Sequence, residues 1–218
     1  SRGLGDVYKR QFLSSGMRGK MRKKSHVSLS RYLLDHIDSE LLENHRKAFI
    51  VGSVLPDCKP SFVTTKHNME ETFDMVCEFI RKLTVNSDDY KKISTAYCRK
   101  LGEVTHYLAD YFTFPHNCVF TGSIREHCIY EKKLKFALRS YIRSGEINVN
   151  STVVRRFTTP QQLCDYVIQI HQQYLKCNKT VESDCRYIVA LCHVAVAGIL
   201  NLLEHYRNSN PVSAAAAA

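Results

Sequence analysis

The sequence predicts an all-α protein built as one compact multi-helix domain. Apolar residues recur at three- and four-residue spacing along most of the chain, and no series of alternating strands interrupts them. Nine Gly and five Pro are few helix breakers for 218 residues, so long helices are favoured. A chain of this length with 44% hydrophobic residues can bury a core as a single domain.

In the first third of the chain, apolar spacing predicts a helix that begins near His26. Its apolar face comprises Leu29, Leu33, Leu34 and Ile37. Helical spacing continues over residues 41–48, whereas residues 49–54 are compatible with a short strand. Prolines mark a turn at residues 52–60, and a further helix is predicted over residues 72–83.

Capping residues mark the helices of the second half. Asn86 to Asp89 are typical of the start of a long helix that ends near Phe112. Another helix is predicted over residues 124–142. Thr159 followed by Pro160 and two glutamines predicts a helix start, and that helix should end near residue 177. The last predicted helix covers residues 182–206.

Positive charge is concentrated at the amino end of the chain. The formal net charge is +10, but eight of the 31 Lys and Arg residues lie in residues 1–24 beside a single acid. The remainder holds 23 basic and 20 acidic residues, a near balance that does not favour nucleic-acid binding. We expect a basic, unstructured or foreign tail at 1–20, the helical domain at 21–207 and a disordered tail at 208–218.

Cysteine usage and hydropathy bear on the cellular compartment. The nine cysteines are odd in number and form no Cys-x-x-Cys pair, which favours free thiols in a reducing environment. No apolar signal core follows the basic start. The longest apolar run, 188–203, is interrupted by His193 and Asn201 and is short for a membrane span. We therefore expect a cytoplasmic protein without a transmembrane segment, in which this run forms a buried core helix.

Histidines followed by an acid four residues later are more frequent than composition predicts. Roughly one such pair is expected by chance, since each of the 10 His residues has about a one-in-ten chance of an acid four residues later. The chain has four pairs: His36 and Glu40, His67 and Glu71, His106 and Asp110, and His127 and Glu131. A single pair is weak support for a metal site, since most such pairs are exposed neighbours on a helix face, and the stronger signal is the ordered set of ligand-type residues.

An ordered set of eight metal-ligand side chains carries a family resemblance. In chain order the set is His26, Asp57, His67, His106, Asp110, His116, His127 and Glu131. The segments SHVSL, GSVLPD, GEVTHYLADYFTFPHN and EHCIYEKKL resemble the signature blocks of the zinc-dependent phospholipase C family, which is related to zinc-dependent single-strand nucleases. The resemblance covers about residues 21–206. It implies an all-helical hydrolase of phosphate esters that uses zinc.

The resemblance also implies a role for each ligand. One zinc would be surrounded by Asp57, His67, His106 and Asp110, a second would be held by Asp110 and His26, and another by His116, His127 and Glu131. Clustered zinc lowers the pKa of bound water to about 7 and neutralises phosphoryl oxygens. Asp57 is the candidate catalytic residue, because a carboxylate beside that water can orient or deprotonate it.

Two departures from the family pattern narrow these expectations. Secreted members bind one zinc through an amino-terminal Trp, and this chain has no Trp, so we expect two firmly held zinc ions and leave the third site, at His26, open. Choline-specific members carry aromatic residues where this chain has Cys58 and Thr64. A choline site is therefore not expected. We expect the substrate to be another phosphoester, and phospholipid headgroups are among the candidates.

Two other functions are open to a helical metal-binding protein of this kind. A His-Asp metal phosphohydrolase requires adjacent His and Asp residues, which the sequence lacks. A non-catalytic, zinc-stabilised helical binding module remains open, with the basic start as its contact to a partner or membrane surface.

The remaining histidines and the aromatic residues beside the ligands are interpreted as structural. Surface or helix-face positions are expected for His36, His45, His171 and His205, and a hydrogen-bonded core position for His193. Packing is expected for Tyr107, Tyr111, Phe112 and Phe114.

Overall fold

A computed structural model describes residues 23–58, 67–85, 94–145 and 155–209. Within them the chain forms eight α-helices and no strand, which confirms the predicted all-α class. The helices are α1 (23–36), α2 (Glu40–Asn44), α3 (Arg46–Gly52), α4 (Met69–Thr84), α5 (Ser94–Tyr111), α6 (Ile124–Ser144), α7 (Pro160–Lys176) and α8 (Val181–Ser209). Two short 3-10 turns, Pro56–Cys58 and Phe114–His116, join the longer elements.

Side-chain caps set the starts of several helices. The hydroxyl of Thr159 accepts a hydrogen bond from the Gln162 amide, as the sequence predicts. Asn68 caps α4 in the same way and moves its start upstream of residue 72. Ser123 and Glu126 form a reciprocal capping box at the start of α6. The predicted cap at 86–89 lies outside the described residues.

Residues 49–54, whose composition is compatible with a short strand, are not a strand in the structure. They belong to α3 and the turn after it, because α3 packs closely along α5. A Cβ on Gly52 would overlap the carbonyl oxygen of Arg99, and a Cβ on Gly102 would overlap that of Phe49. Two glycines therefore let the backbones of α3 and α5 approach each other.

The centre of the fold is α5, which contacts α3, α4 and α8. Every residue from 101 to 113 is buried. Polar side chains in this stretch must therefore find partners inside the protein, and they include His106 and Asp110.

The long helix α8 contacts α4, α5, α6 and α7 and supplies much of the core. It extends to Ser209, slightly beyond the predicted end of the domain. Among the described helices α8 alone is long and apolar enough to cross a membrane, but 67% of that apolar window is buried inside the protein. Core helices share this length and composition, so the match is weak support for a span.

Candidate metal centre

All eight predicted ligand side chains come together on one side of α5. They come from α1 (His26), the first 3-10 turn (Asp57), the segment just before α4 (His67), α5 (His106 and Asp110), the second 3-10 turn (His116) and α6 (His127 and Glu131). His127 is the most exposed of them, with 23% of its side chain accessible to solvent. Six helices and turns that are distant in sequence thus meet at one buried cluster.

Asp110 lies at the centre of the cluster and contacts four histidines. Its Oδ1 is 3.3 Å from His26 Nε2, and its Oδ2 is 3.2 Å from His67 Nδ1, 3.3 Å from His106 Nε2 and 3.6 Å from His116 Nδ1. Burial acts to raise the pKa of Asp110, but the charges of His116 and His106 and hydrogen bonds from His106 and His26 outweigh it and hold the pKa well below 3.8. An ionised carboxylate with both oxygens among nitrogen ligands is suited to bridge two cations.

The ligand atoms form three groups, in each of which all atoms lie within 4.8 Å of one another. The groups are His26, His106 and Asp110; Asp57, His67 and His106; and His116, His127 and Glu131. Imidazole nitrogens combined with carboxylate oxygens are a donor set that zinc accepts. The geometry therefore offers three candidate zinc positions, and the first two compete for His106, because one imidazole nitrogen binds a single ion.

Three buried polar atoms in the cluster have no hydrogen-bond partner. They are both carboxylate oxygens of Asp57 and Nδ1 of His26. The Asp57 side chain is fully buried, and its Oδ1 is 3.7 Å from His106 Nε2. A buried carboxylate without partners is costly, so these atoms fit a site that binds a cation.

Backbone carbonyls fix the orientation of two ligand rings. Nδ1 of His106 donates a 2.8 Å hydrogen bond to the carbonyl oxygen of Ser53, which leaves Nε2 free for a metal. Nδ1 of His116 donates to the carbonyl oxygen of His67 at 3.2 Å, and its Nε2 faces Glu131 Oε1 at 3.3 Å. The close approach of α3 to α5 places Ser53 beside His106, so the fold itself selects the ring tautomer.

The cluster agrees with a comparison of the sequence with known protein families. Residues 25–180 match the family described as zinc dependent phospholipase C. The chain belongs to this family. No curated protein and no solved structure matches it. The resemblance in the signature segments is therefore confirmed at the level of the family, whose all-helical fold is also the fold found here.

The zinc-dependent phospholipase C fold of this chain includes a buried carboxylate that the sequence did not single out. Asp184, in the first turn of α8, accepts hydrogen bonds from the Phe114 amide at 2.8 Å, the Tyr130 hydroxyl at 2.9 Å and the Tyr174 hydroxyl at 2.8 Å. Burial raises the pKa of Asp184 to about 6, although these three hydrogen bonds act in the opposite direction.

Asp184 is connected to two ligands through its neighbours. Phe114 begins the 3-10 turn that ends with His116, and Tyr130 directly precedes Glu131 on α6. Asp184 thus holds both segments that carry ligands of the third group. The available signal was an acid at the start of an otherwise apolar helix, a position more often explained by the helix dipole.

Among the other histidines, His171 departs from the surface position expected for it. It is 5% exposed, and its Nε2 donates a 2.8 Å hydrogen bond to Oδ1 of Asn117, the residue after His116. Asn117 in turn donates from Nδ2 to the carbonyls of Tyr111 and Thr113. The surface prediction was wrong because the face of α7 that carries His171 packs inward.

The other side chains that the sequence analysis interprets as structural differ in their burial. His36 and His205 are exposed, and His45 is half-buried beside Thr95. A hydrogen-bonded core position was expected for His193, but its buried Nδ1 has no hydrogen-bond partner, and its ring centre lies 6.3 Å from that of Tyr32. Packing positions are found for the buried residues Tyr107, Tyr111 and Phe112 and the half-buried Phe114. Cys58 is exposed, and Thr64 lies outside the described residues.

Proposed function

We propose that this protein is a zinc-dependent hydrolase of phosphate esters with phospholipase C-like phosphodiesterase activity. The observation that carries the proposal is the pair of unpartnered, buried oxygens of Asp57 beside His67 and His106. A purely structural carboxylate would be expected to have hydrogen-bond partners. A carboxylate kept free of them within a ligand cluster is suited to chemistry.

The ligand groups account for both metal binding and charge balance. His67, His106 and Asp57 would hold one zinc, Asp110 and His26 a second, and His116, His127 and Glu131 another. Zinc in such a site supplies an activated water at neutral pH and positive charge for the phosphoryl oxygens. The three carboxylates Asp57, Asp110 and Glu131 would offset three of the four positive charges of two zinc ions, or three of the six charges of three.

Asp57 is the residue that we assign to proton transfer. One of its oxygens suffices to bind a cation, and the other remains able to accept the proton of the water that attacks phosphorus. His106 is unsuited to this role, because Nδ1 is engaged with Ser53 and Nε2 points to the ligand groups.

The proposed substrates are phosphodiesters, including phospholipids with headgroups other than choline. Cys58 occupies the position beside Asp57 where choline-specific relatives have an aromatic ring, and a thiol cannot provide a cation–π contact. We also propose a cytoplasmic location, which is supported by nine free cysteines, all of them in the described residues.

The proposal is tested by comparing Asp57→Asn with Asp110→Asn. Asp57→Asn retains a neutral oxygen ligand but cannot take a proton, so zinc content should stay high while phosphodiester turnover falls by roughly 10²–10⁴. Asp110→Asn removes the charge shared by four histidines, so zinc and activity should be lost together. Asp165→Asn, an exposed change on α7, is the matched control.

Zinc analysis and hydrolysis of a small chromogenic phosphodiester are the two measurements. An Asp57→Asn protein as fast as wild type would show that another group takes the proton. Full zinc content in wild type, with no turnover of that diester or of a phospholipid panel, would instead favour the non-catalytic zinc-stabilised module.

A further inference from the structure

The outward face of helix α6 carries both apolar and basic side chains. Its inward face carries His127, Glu131, Leu134 and Leu138. Residues on the outward face fall at positions separated by three, four or seven residues, so they share one side of the helix. These residues are Arg125, Ile129, Lys132, Lys133, Phe136 and Arg143, all of which are exposed. We call this surface the α6 face.

The α6 face combines apolar side chains with unpaired cations. Phe136 is 55% exposed and Ile129 is 46% exposed, which is unusual for large apolar residues. Within the described residues Lys132 and Lys133 form no ion pair with an acid. The amino group of Lys135 lies 4.1 Å from the centre of the Phe136 ring and adds a further cation beside it. Of the two carboxylates of α6, Glu131 is buried, and Glu126, which is exposed three residues before Ile129, is engaged with Ser123 in the capping box.

The positive surface continues from α6 to the start of α1. Arg139 of α6 donates a 3.2 Å hydrogen bond to the hydroxyl of Ser28, so α1 begins beside α6. Lys23 and Lys24 occupy the first turn of α1 and directly follow the basic sequence at the amino end. Lys24 therefore lies one helical turn before a residue that contacts α6.

We propose that the α6 face docks the protein on an anionic lipid surface, a partner that rests on the proposed action on phospholipids. Exposed apolar side chains between lysines and arginines match a bilayer interface, where the cations meet anionic headgroups and the apolar groups enter the acyl boundary. Ile129 is aliphatic and cannot stack on a base, so the face suits single-stranded nucleic acid less well.

Docking through the α6 face would place the metal centre behind α6, about one helix diameter, 10–12 Å, from the lipid surface. The same helix carries His127 and Glu131, and Ile124, three residues before His127, is 62% exposed. The apolar exposure thus extends to the end of α6 at which the most solvent-accessible ligand lies.

The test uses the full chain and vesicles of phosphatidylcholine with and without phosphatidylserine. Wild type should bind only the phosphatidylserine vesicles. Neutralising two cations with Lys132→Gln and Lys133→Gln should weaken that binding about 25-fold, or about fivefold for each cation. Phe136→Ser should weaken it about tenfold and leave its salt dependence unchanged. Matched changes on other exposed surfaces, Lys47→Gln with Lys176→Gln and Val51→Ser, should change the affinity less than twofold.

Circular dichroism and zinc content verify that the variants fold. Vesicle affinity that is equal in wild type and the α6-face variants overturns the docking proposal. The proposal is also overturned if these changes weaken the binding of a single-stranded oligonucleotide and leave vesicle binding unchanged. Hydrolysis of a soluble phosphodiester should be the same in all the variants. If that activity is absent from wild type while α6-dependent vesicle binding is present, the proposed function fails and the docking surface stands.

Discussion

The backbone amide of Phe114 donates a 2.8 Å hydrogen bond to the Asp184 carboxylate, although the two residues are 70 positions apart. This bond joins the turn that carries His116 to the long core helix α8. The Tyr130 hydroxyl binds the same oxygen of Asp184 and joins α6 to it. The third ligand group is therefore held by a contact that contains none of its own ligands.

Replacement of Asp184 should separate its hydrogen-bonding role from its charge. Asp184→Ala leaves three buried donors without an acceptor and should lower the free energy of unfolding by about 2–4 kcal/mol. It should also lower zinc affinity at the group formed by His116, His127 and Glu131. Asp184→Asn can accept hydrogen bonds from Phe114 and Tyr130 and donate one to Tyr174, so most of the free energy of unfolding and most of the zinc affinity should remain. Denaturant unfolding and zinc titration measure the two effects, and equal losses in both variants would contradict this role.

The contribution of Asp184 to stability should also depend on pH. Burial raises its pKa from 3.8 to about 6 in the folded protein, so between these values the folded state binds more protons than the unfolded state. The contribution of Asp184 is then fully present below about pH 4 and is lost as the pH rises through about 6. Asp184→Asn does not titrate. The free energy of unfolding of Asp184→Asn minus that of wild type should therefore rise as the pH increases from about 4 to about 6.

That comparison is best made on chelator-treated proteins unfolded by denaturant at a series of pH values. The histidine ligands titrate in both proteins, so their contribution cancels in the difference. A difference that is constant, or that falls with rising pH, would show that the hydrogen bonds rather than burial control Asp184.

The contact between α3 and α5 should be sensitive to a single methyl group. Gly102→Ala would place a Cβ against the Phe49 carbonyl, force the helices apart and displace Ser53 from His106. We expect a loss of about 2 kcal/mol or more in the free energy of unfolding, together with weaker zinc binding. Gly122→Ala is the control, because its Cβ meets only the end of the Phe120 side chain. A Gly102→Ala protein with wild-type stability and zinc affinity would refute the coupling.

Most of the candidate centre was predictable from the sequence, because ligand-type residues stand in a family order that reflects their convergence in space. His106 and Asp110 are four apart on a helix, and the structure places both in the cluster. The contacts that orient them were not predictable. Ser53 and Asp184 act through tertiary packing, for which residue type and spacing give no signal. Residues 49–54 show the same limit, since packing of α3 on α5 overrode their strand-like composition.

The unpartnered carboxylate of Asp57 leads to a prediction whose sign depends on zinc. In metal-free protein, Asp57→Asn removes a buried carboxylate that has no hydrogen-bond partner and should raise the melting temperature. In zinc-loaded protein, the same change removes ligand charge and should lower it. Thermal unfolding with zinc and with chelator provides both values, and Asp165→Asn should show neither effect. A shift of the same sign in both conditions would mean that Asp57 does not face a bound cation.

Zinc titration of the metal-free protein, with phosphodiester hydrolysis followed in the same samples, tests whether the cluster is a catalytic zinc centre. We expect about two to three zinc ions to bind per chain, turnover to appear as the ligand groups fill, and a chelator to abolish it. Fewer than one zinc bound per chain in excess metal, or full loading without turnover of a small diester or any phospholipid tested, would contradict this expectation.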